Sequence, residues 1–276
     1  MRVRTRCALA IGGNDPGGGA GIAADLRAFA AAGAFGCAAV AVLTVQSTAG
    51  LRSARAVDAR ELGLQVREVV RHQRVGAVKT GALGSPANVR VVGAWAERCP
   101  RVPLVVDPVM LPTRGRAGAR LLARDALHLL RVELLARATL VTANAPEAAA
   151  IVGREVRTVA EAREAAVAIC ALGARAALVK GGHLDGRDAI DVLAFAGPHG
   201  RIVELSAKRL RLGPVHGGGC TLASLIAGRL ALANLPARGP AFEAAILRAV
   251  RWAKRRHHTA LARAIDVGGP MGVLVP

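Results

Sequence analysis

Residues 216–221 read HGGGCT and stand directly ahead of the apolar run LASLIAGRLALA. Glycines before a helix leave the amides of Gly217, Gly218 and Gly219 free to converge at the positive end of the helix dipole, where anions bind. Cys220 follows them, and the same dipole is expected to lower its thiol pKa, which would make a thiolate base or nucleophile. A helix that merely begins after glycines is the plainer alternative. A second cluster, GGNDPGGGAGIAAD at 12–25, holds six glycines in ten residues, more than a turn needs. Its backbone, Gly13 included, can approach a ligand closely. The pattern is neither G-x-G-x-x-G nor G-x-x-x-x-G-K-[ST], so the common nucleotide loops do not apply. Asp25, about a turn into the following helix, faces either the pocket or solvent.

Other chemistry-bearing residues stand at strand ends. In TANAPE, Asn144 and Glu147 lie three apart at a predicted helix start, where both can hold water around Mg²⁺. The same pair equally makes an N-cap and its capping-box partner. Lys180 ends a strand against two glycines in VKGGH, and Lys79 stands similarly in VKTGALGS. Either can meet phosphate, and for Lys79 a salt bridge or solvent exposure is an equal alternative. Asp107, in VVDPVM, places a carboxylate where it can orient a metal or phosphates. Gln46, in VQST, offers donor and acceptor together to a heterocycle edge.

Composition narrows the function classes. The formal charge of +19 would suggest a polyanion partner, but basic residues are spread along the chain, and no tyrosine and only four phenylalanines are available to stack on bases. Nucleic acid is therefore not expected. Of the 38 basic residues four are lysine (Lys79, Lys180, Lys208 and Lys254), so a surviving lysine marks a place where a compact ammonium cannot be exchanged for a guanidinium. Five scattered cysteines without C-x-x-C, and histidines without H-x-x-x-H or H-E-x-x-H spacing, argue against disulfides and zinc. Apolar runs are broken well short of the roughly 18 residues a membrane span needs, and the basic opening leads into a glycine loop rather than a signal-peptide core. A cytoplasmic protein is expected.

The elements that must position these residues alternate between short β-type runs and helical patterns, the signature of βαβ units and a parallel sheet. Strands are predicted over 6–11, 38–45, 77–79, 104–106, 140–142 and 177–179, and helices over 20–32 and 61–71. A hairpin follows, 192–196 and 202–205 joined by Gly197-Pro198-His199-Gly200. Two helices, 221–233 and 242–264, end the pattern. Ligands of such sheets bind outside the carboxyl ends of the strands, where the Gly, Asp, Asn and Lys residues collect.

Taken in order, GGNDPGGGAGIAADL, VQST, VKTGALGS, VVDPVM, TANAPEA, VKGGH and HGGGCTLAS resemble the hydroxymethylpyrimidine/phosphomethylpyrimidine kinases of the ribokinase-like superfamily. The resemblance covers nearly the whole chain. It implies an α/β three-layer sandwich with a central mostly parallel sheet flanked by helices, one kinase domain over 1–276, ATP and Mg²⁺ as cofactors, and a homodimer. Two phosphorylations of 4-amino-5-hydroxymethyl-2-methylpyrimidine are implied, first to the monophosphate and then to the pyrophosphate. By the same likeness Cys220 is the base, and Gly217, Gly218 and Gly219 form the anion hole. Asn144 and Glu147 lie near Mg²⁺, with Asn144, Asp107, Lys180 and Lys254 near the nucleotide phosphates. Gly13, Asp25, Gln46 and Ala82 belong to the pyrimidine pocket. The chain departs from the family's pattern at Asn14 (usually Ser), Ala82 (Met), Ala143 (Pro) and Gly218 (Thr). Ala82 removes bulk beside the ring, and Gly218 removes a hydroxyl and is expected to loosen the loop. Competing readings are a pyridoxal-type vitamin kinase, a non-catalytic pyrimidine-binding protein and a thiol hydrolase built on Cys220.

Overall fold

The computed structural model describes residues 5–110, 112, 114, 121–123, 126–197 and 200–276. In chain order the elements are β1 (Cys7–Gly13), α1 (Gly21–Ala31), β2 (Phe35–Ser47), β3 (Gly50–Ala56), α2 (Ala59–His72), β4 (Val75–Thr80), α3 (Pro86–Arg98) and β5 (Leu104–Val106). There follow α4 (Ala126–Leu129), which runs on through tighter and looser turns to Arg137, then β6 (Leu140–Asn144), α5 (Ala145–Val152), α6 (Val159–Ala171), β7 (Ala176–Lys180), β8 (Asp188–Phe195), β9 (Ile202–Lys208), β10 (Val215–His216), α7 (Gly218–Leu232), α8 (Pro240–Ala262) and β11 (Gly272–Val273). Nine strands form one sheet in the order β3-β2-β1-β4-β5-β6-β7-β8-β9. The run from β2 to β7 is parallel, and β3, β8 and β9 join antiparallel.

Strand periodicity decides which side each residue feeds. Cys7, Leu9 and Ile11 of β1 pack into a core with residues of α2, α3, α5 and α6, whereas Ala8 and Ala10 point to α1, α7 and α8. The second side is built from small residues because α7 lies close to the sheet. A methyl group on Gly76 of β4 would stand 2.1 Å from the carbonyl oxygen of Ala231. Apolar all round, α7 is buried along most of its length, as such a helix must be.

The predicted strands, helices and hairpin are present, most strands longer and several ends shifted by one to four residues; the Pro198-His199 turn lies outside the described residues. Two differences matter. The first is β3, an exposed edge strand of sequence GLRSARA whose polar composition gives no strand signal. The second is the start of α7, which lies at Gly218 rather than Thr221. From β1 the chain proceeds to β2 on one side and later to β4 on the other, so the strand order reverses beside β1. Crevices at such reversals, outside the carboxyl ends of the strands, bind ligands.

Candidate active site

A cleft of about 790 Å³ opens at that edge, and every residue the sequence nominated lines it: Gly13, Asp25, Gln46, Ala82, Asp107, Asn144, Glu147, Lys180, Gly217, Gly218, Gly219, Cys220 and Lys254. One wall is made by the ends of β1 and β2 with Ala82, just past β4. The opposite wall is made by the ends of β5, β6 and β7 and by one face of α8. The head of α7 lies between them.

At that head, Gly217 is the N-cap, in the left-handed region at φ 78°. A methyl group there would meet the carbonyl oxygen of Gly19 at 2.1 Å, so the position demands glycine. The Thr221 amide donates to the Gly217 carbonyl at 2.9 Å and closes the first intrahelical bond. The amides left without an intrahelical partner are therefore those of Gly217, Gly218, Gly219 and Cys220. The expected trio lies among them, joined by the Cys220 amide, and Gly217 also shapes the turn.

The expected acidity of Cys220 is reversed. Burial pushes its thiol up to about 12; the charges of Lys79 and Lys180 pull the other way, but Asp107 and Asp25 support the rise.

On the β5–β7 wall, Lys180 Nζ stands 2.9 Å from Asp107 Oδ1 and 3.7 Å from Glu147 Oε2. Burial disfavours the ammonium, but the carboxylates of Asp107 and Glu147 outweigh it and raise the lysine pKa. Asn144 and Glu147 do form the capping box: Asn144 Oδ1 accepts from the Glu147 amide and Glu147 Oε2 from the Asn144 amide, each at 2.8 Å. Burial raises Glu147 to about 7, with Lys180 opposing the rise, so it titrates near neutrality. The cap fixes the backbone while the outer carboxylate faces the cleft, so the two readings of TANAPE are compatible.

Lys79 behaves differently. Its Nζ donates to Asp25 Oδ1 at 2.9 Å with both side chains fully buried, and Ser224 Oγ donates to the same oxygen at 2.7 Å. Burial works against the charge on Lys79, yet Asp25 prevails and raises its pKa. Asp25 thus borders the cleft through an ion pair rather than through solvent. Lys254 is likewise engaged, 2.7 Å from Asp191 Oδ2 and 3.2 Å from the Ala189 carbonyl, while Asp191 Oδ1 accepts the Gly181 amide at 2.7 Å.

Sequence reasoning missed several cleft residues. His257 Nε2 donates to the Gly218 carbonyl at 2.9 Å, and burial depresses the imidazole to about 4, so it is neutral. This bond holds the Gly218 carbonyl. Asp191 and His257 carry no short motif. Arg209 donates to the carbonyls of Gly181, Gly182, Leu184, Gly186 and Asp188, and so fixes the turn after Lys180. Its only sequence signal was one arginine among many. His216 turns to Asp15, its Nε2 lying 2.8 Å from Asp15 Oδ2. Among the described residues no group of three or more His, Cys, Asp or Glu is placed to cage a metal.

A crevice at the strand reversal, a helix head with free amides and a lysine–carboxylate wall are the parts of a small-molecule kinase of the ribokinase-like class. An ADP complex of Bacillus subtilis pyridoxal kinase superposes with a TM-score of 0.85 at 26% identity, covering 98% of this chain and 97% of that one. The chain belongs to the phosphomethylpyrimidine kinase family, which it matches over residues 15–274. It is 38% identical to the hydroxymethylpyrimidine/phosphomethylpyrimidine kinase of Rhizobium meliloti over 97% of this chain and 96% of that protein. It is also 40% identical to a probable thiamine biosynthetic bifunctional enzyme, chloroplastic, of Oryza sativa subsp. japonica, over 96% of this chain but only 46% of the rice protein's length.

Proposed function

We propose that this protein transfers the γ-phosphoryl group of ATP to the hydroxyl of 4-amino-5-hydroxymethyl-2-methylpyrimidine and then phosphorylates the monophosphate, supplying the pyrimidine pyrophosphate of thiamine biosynthesis. The observation that carries this is the position of the α7 head, between the glycine loop that would cradle the ring and the lysine–carboxylate wall that would face the nucleotide. Phosphoryl transfer asks mainly for alignment and charge stabilisation. The amides of Gly218, Gly219 and Cys220 would hold the transferred group, Lys180 would neutralise its charge, and Gly13, Gln46 and Ala82 would contact the pyrimidine.

Magnesium fits the donor set. Such ions are held by one or two carboxylates together with substrate phosphates and water. Glu147 and Asp107 offer those carboxylates, and Asn144 Oδ1 is already engaged by the cap. When bound, the ion would neutralise phosphate charge. Cys220 would accept the proton of the attacking hydroxyl, a modest demand because a loose transition state releases that proton late.

The test is mass spectrometry of the products from the pyrimidine alcohol, ATP and Mg²⁺. Both the monophosphate and the pyrophosphate are expected, and absence of both would refute the proposal. Ala82, buried in the cleft wall, leaves room beside the ring and favours a second reading in which a bulkier pyridine alcohol is also accepted. A single phosphorylation of pyridoxal in the same assay would support it. We further take the protein to act as a homodimer, a reading favoured by Leu43 and Val45, which stand exposed on β2. Light scattering giving a monomer mass would exclude it.

A further inference from the structure

We propose that Asp15 and His216 form a positioning dyad that locks the glycine loop to the head of α7, setting where the acceptor hydroxyl stands relative to the transferred phosphoryl group. The inference rests on the function proposed above for its catalytic consequence, though not for the lock itself.

The two loops come from opposite ends of the chain and meet in backbone contact. A methyl group on Gly19 would stand 2.4 Å from His216 Cδ2, and one on Gly217 would stand 2.1 Å from the Gly19 carbonyl oxygen. No side chain can therefore separate them. Asp15 is the hinge pin of the contact. Its Oδ1 accepts the Gly17 amide at 2.9 Å, and its Oδ2 accepts both the Ala20 amide at 2.7 Å and His216 Nε2 at 2.8 Å. One carboxylate thus organises its own loop and grips the other.

Both residues are almost wholly buried, 5% exposed for Asp15 and 4% for His216. Burial alone would raise the Asp15 pKa; the His216 bond and the two amides outweigh it and hold the carboxyl below its usual range. The other imidazole nitrogen, Nδ1, is buried without a hydrogen-bond partner among the described residues. The orientation of His216 therefore depends on Asp15. His216 immediately precedes Gly217, whose left-handed turn aims the free amides, so a rotation at His216 passes directly into the anion-binding head.

A small misplacement of reacting groups costs on the order of 10²-fold in rate while leaving ground-state binding nearly intact. His216→Ala is therefore expected to lower kcat about 10–100-fold with KM for ATP and for the pyrimidine changed less than about threefold. His216→Gln, whose amide nitrogen reaches the Nε2 position, should recover most of the loss. Asp15→Asn should resemble His216→Ala, and the double variant should be no worse than either single one, because the residues act as a unit. Amide hydrogen exchange is read on the same proteins. Faster exchange at Ala20 and at Thr221, whose amides donate to Asp15 Oδ2 and to the Gly217 carbonyl, in His216→Ala, restored in His216→Gln, reports the lock whatever the substrate is. If the parent protein fails to phosphorylate the pyrimidine but the exchange result holds, the proposed function falls and the lock stands. Unchanged kcat and exchange in folded His216→Ala would overturn the dyad. If His216→Ala does not fold, His216→Gln decides: a folded protein with kcat more than tenfold below the parent and unaltered exchange also overturns it.

Discussion

Lys79 and Lys180 enter the structure alike: each follows a valine in the last two residues of a strand, each precedes a glycine-bearing turn, and each stands 2.9 Å from an aspartate oxygen. Their surroundings differ. Lys79 and Asp25 border the cleft but are fully buried where the sheet, α1 and α7 meet, whereas the Lys180 side chain keeps 11% exposure, with Glu147 as a second carboxylate. Equal distance does not mean equal work. A sealed pair holds elements together because neither charge can reach water, while a pair at a cleft wall can pass its charge to an incoming phosphate.

The largest effect is expected from breaking the sealed pair. Lys79→Met leaves the Asp25 carboxylate buried with only Ser224 to serve it, and such breaks cost about 3–5 kcal/mol. Denaturant unfolding measures it; a loss under about 1 kcal/mol would mean that Asp25 simply takes up a proton. Lys180→Met should invert the pattern. Removing a preorganised stabilising group lowers kcat about 10²–10³-fold, with a smaller stability loss than Lys79→Met because Asp107 keeps the Thr142 hydroxyl and the Glu147 side chain is partly exposed. Equal turnover in the Lys180 variant and the parent would remove this lysine from the chemistry.

How far this difference could be read from the sequence depends on which partners were local. The rarity of lysine marked both residues, and the glycines after Lys180 placed it at a site. Nothing in VKTGALGS specifies Asp25, 54 positions away, so Lys79 stayed undecided between pairing and exposure. The strands were legible because both faces of this sheet are buried and each strand is a short apolar run. The edge strand β3, solvent-exposed for most of its length, carries no such run. Asp15 was hidden by its setting, since Asn-Asp-Pro-Gly reads as an ordinary turn, and its histidine lies 201 residues on. Cys220 shows the reverse failure: its local signal, a helix N-terminus, was right in place and wrong in consequence, because burial is a property of the assembled cleft.

Both ammonium groups also lie over a glycine. A methyl group on Gly81 would stand 3.0 Å from Lys79 Nζ, and one on Gly219 would stand 3.1 Å from Lys180 Nζ. In the sealed pair nothing can yield, so Gly81→Ala is expected to destabilise by about 1–3 kcal/mol, the usual cost of overpacking. A thermal midpoint equal to the parent's would show that the Lys79 pocket is softer than its burial implies.

The two lysines share one neighbour in Cys220, whose thiol both charges pull downward. With the thiol still near 12, only a small thiolate fraction exists at neutral pH, and that fraction grows about tenfold per pH unit below the pKa. If Cys220 takes the substrate proton, kcat should rise with that slope between about pH 7 and 9 and lose it in Cys220→Ala. A flat profile in the parent would leave the sulfur only a packing role.

The smallest effect is expected at Gly219, the counterpart of Gly81. Its methyl group must move the Lys180 ammonium by a few tenths of an ångström, which the cleft permits, and the destabilisation this causes is offset by the roughly 0.4–1 kcal/mol that Gly→Ala gains by restricting the unfolded chain. Gly219→Ala should therefore leave the unfolding free energy within about 1 kcal/mol of the parent while lowering kcat several-fold, because in the proposed reaction the displaced ammonium and the adjoining amide would both face the transferred group. Gly81→Ala should do the opposite, losing stability before turnover per folded molecule. Measured side by side, the two alanines separate a lysine that holds the fold from one that serves the reaction; equal stability losses at both positions would mean that the Lys180 wall is as rigid as the interior.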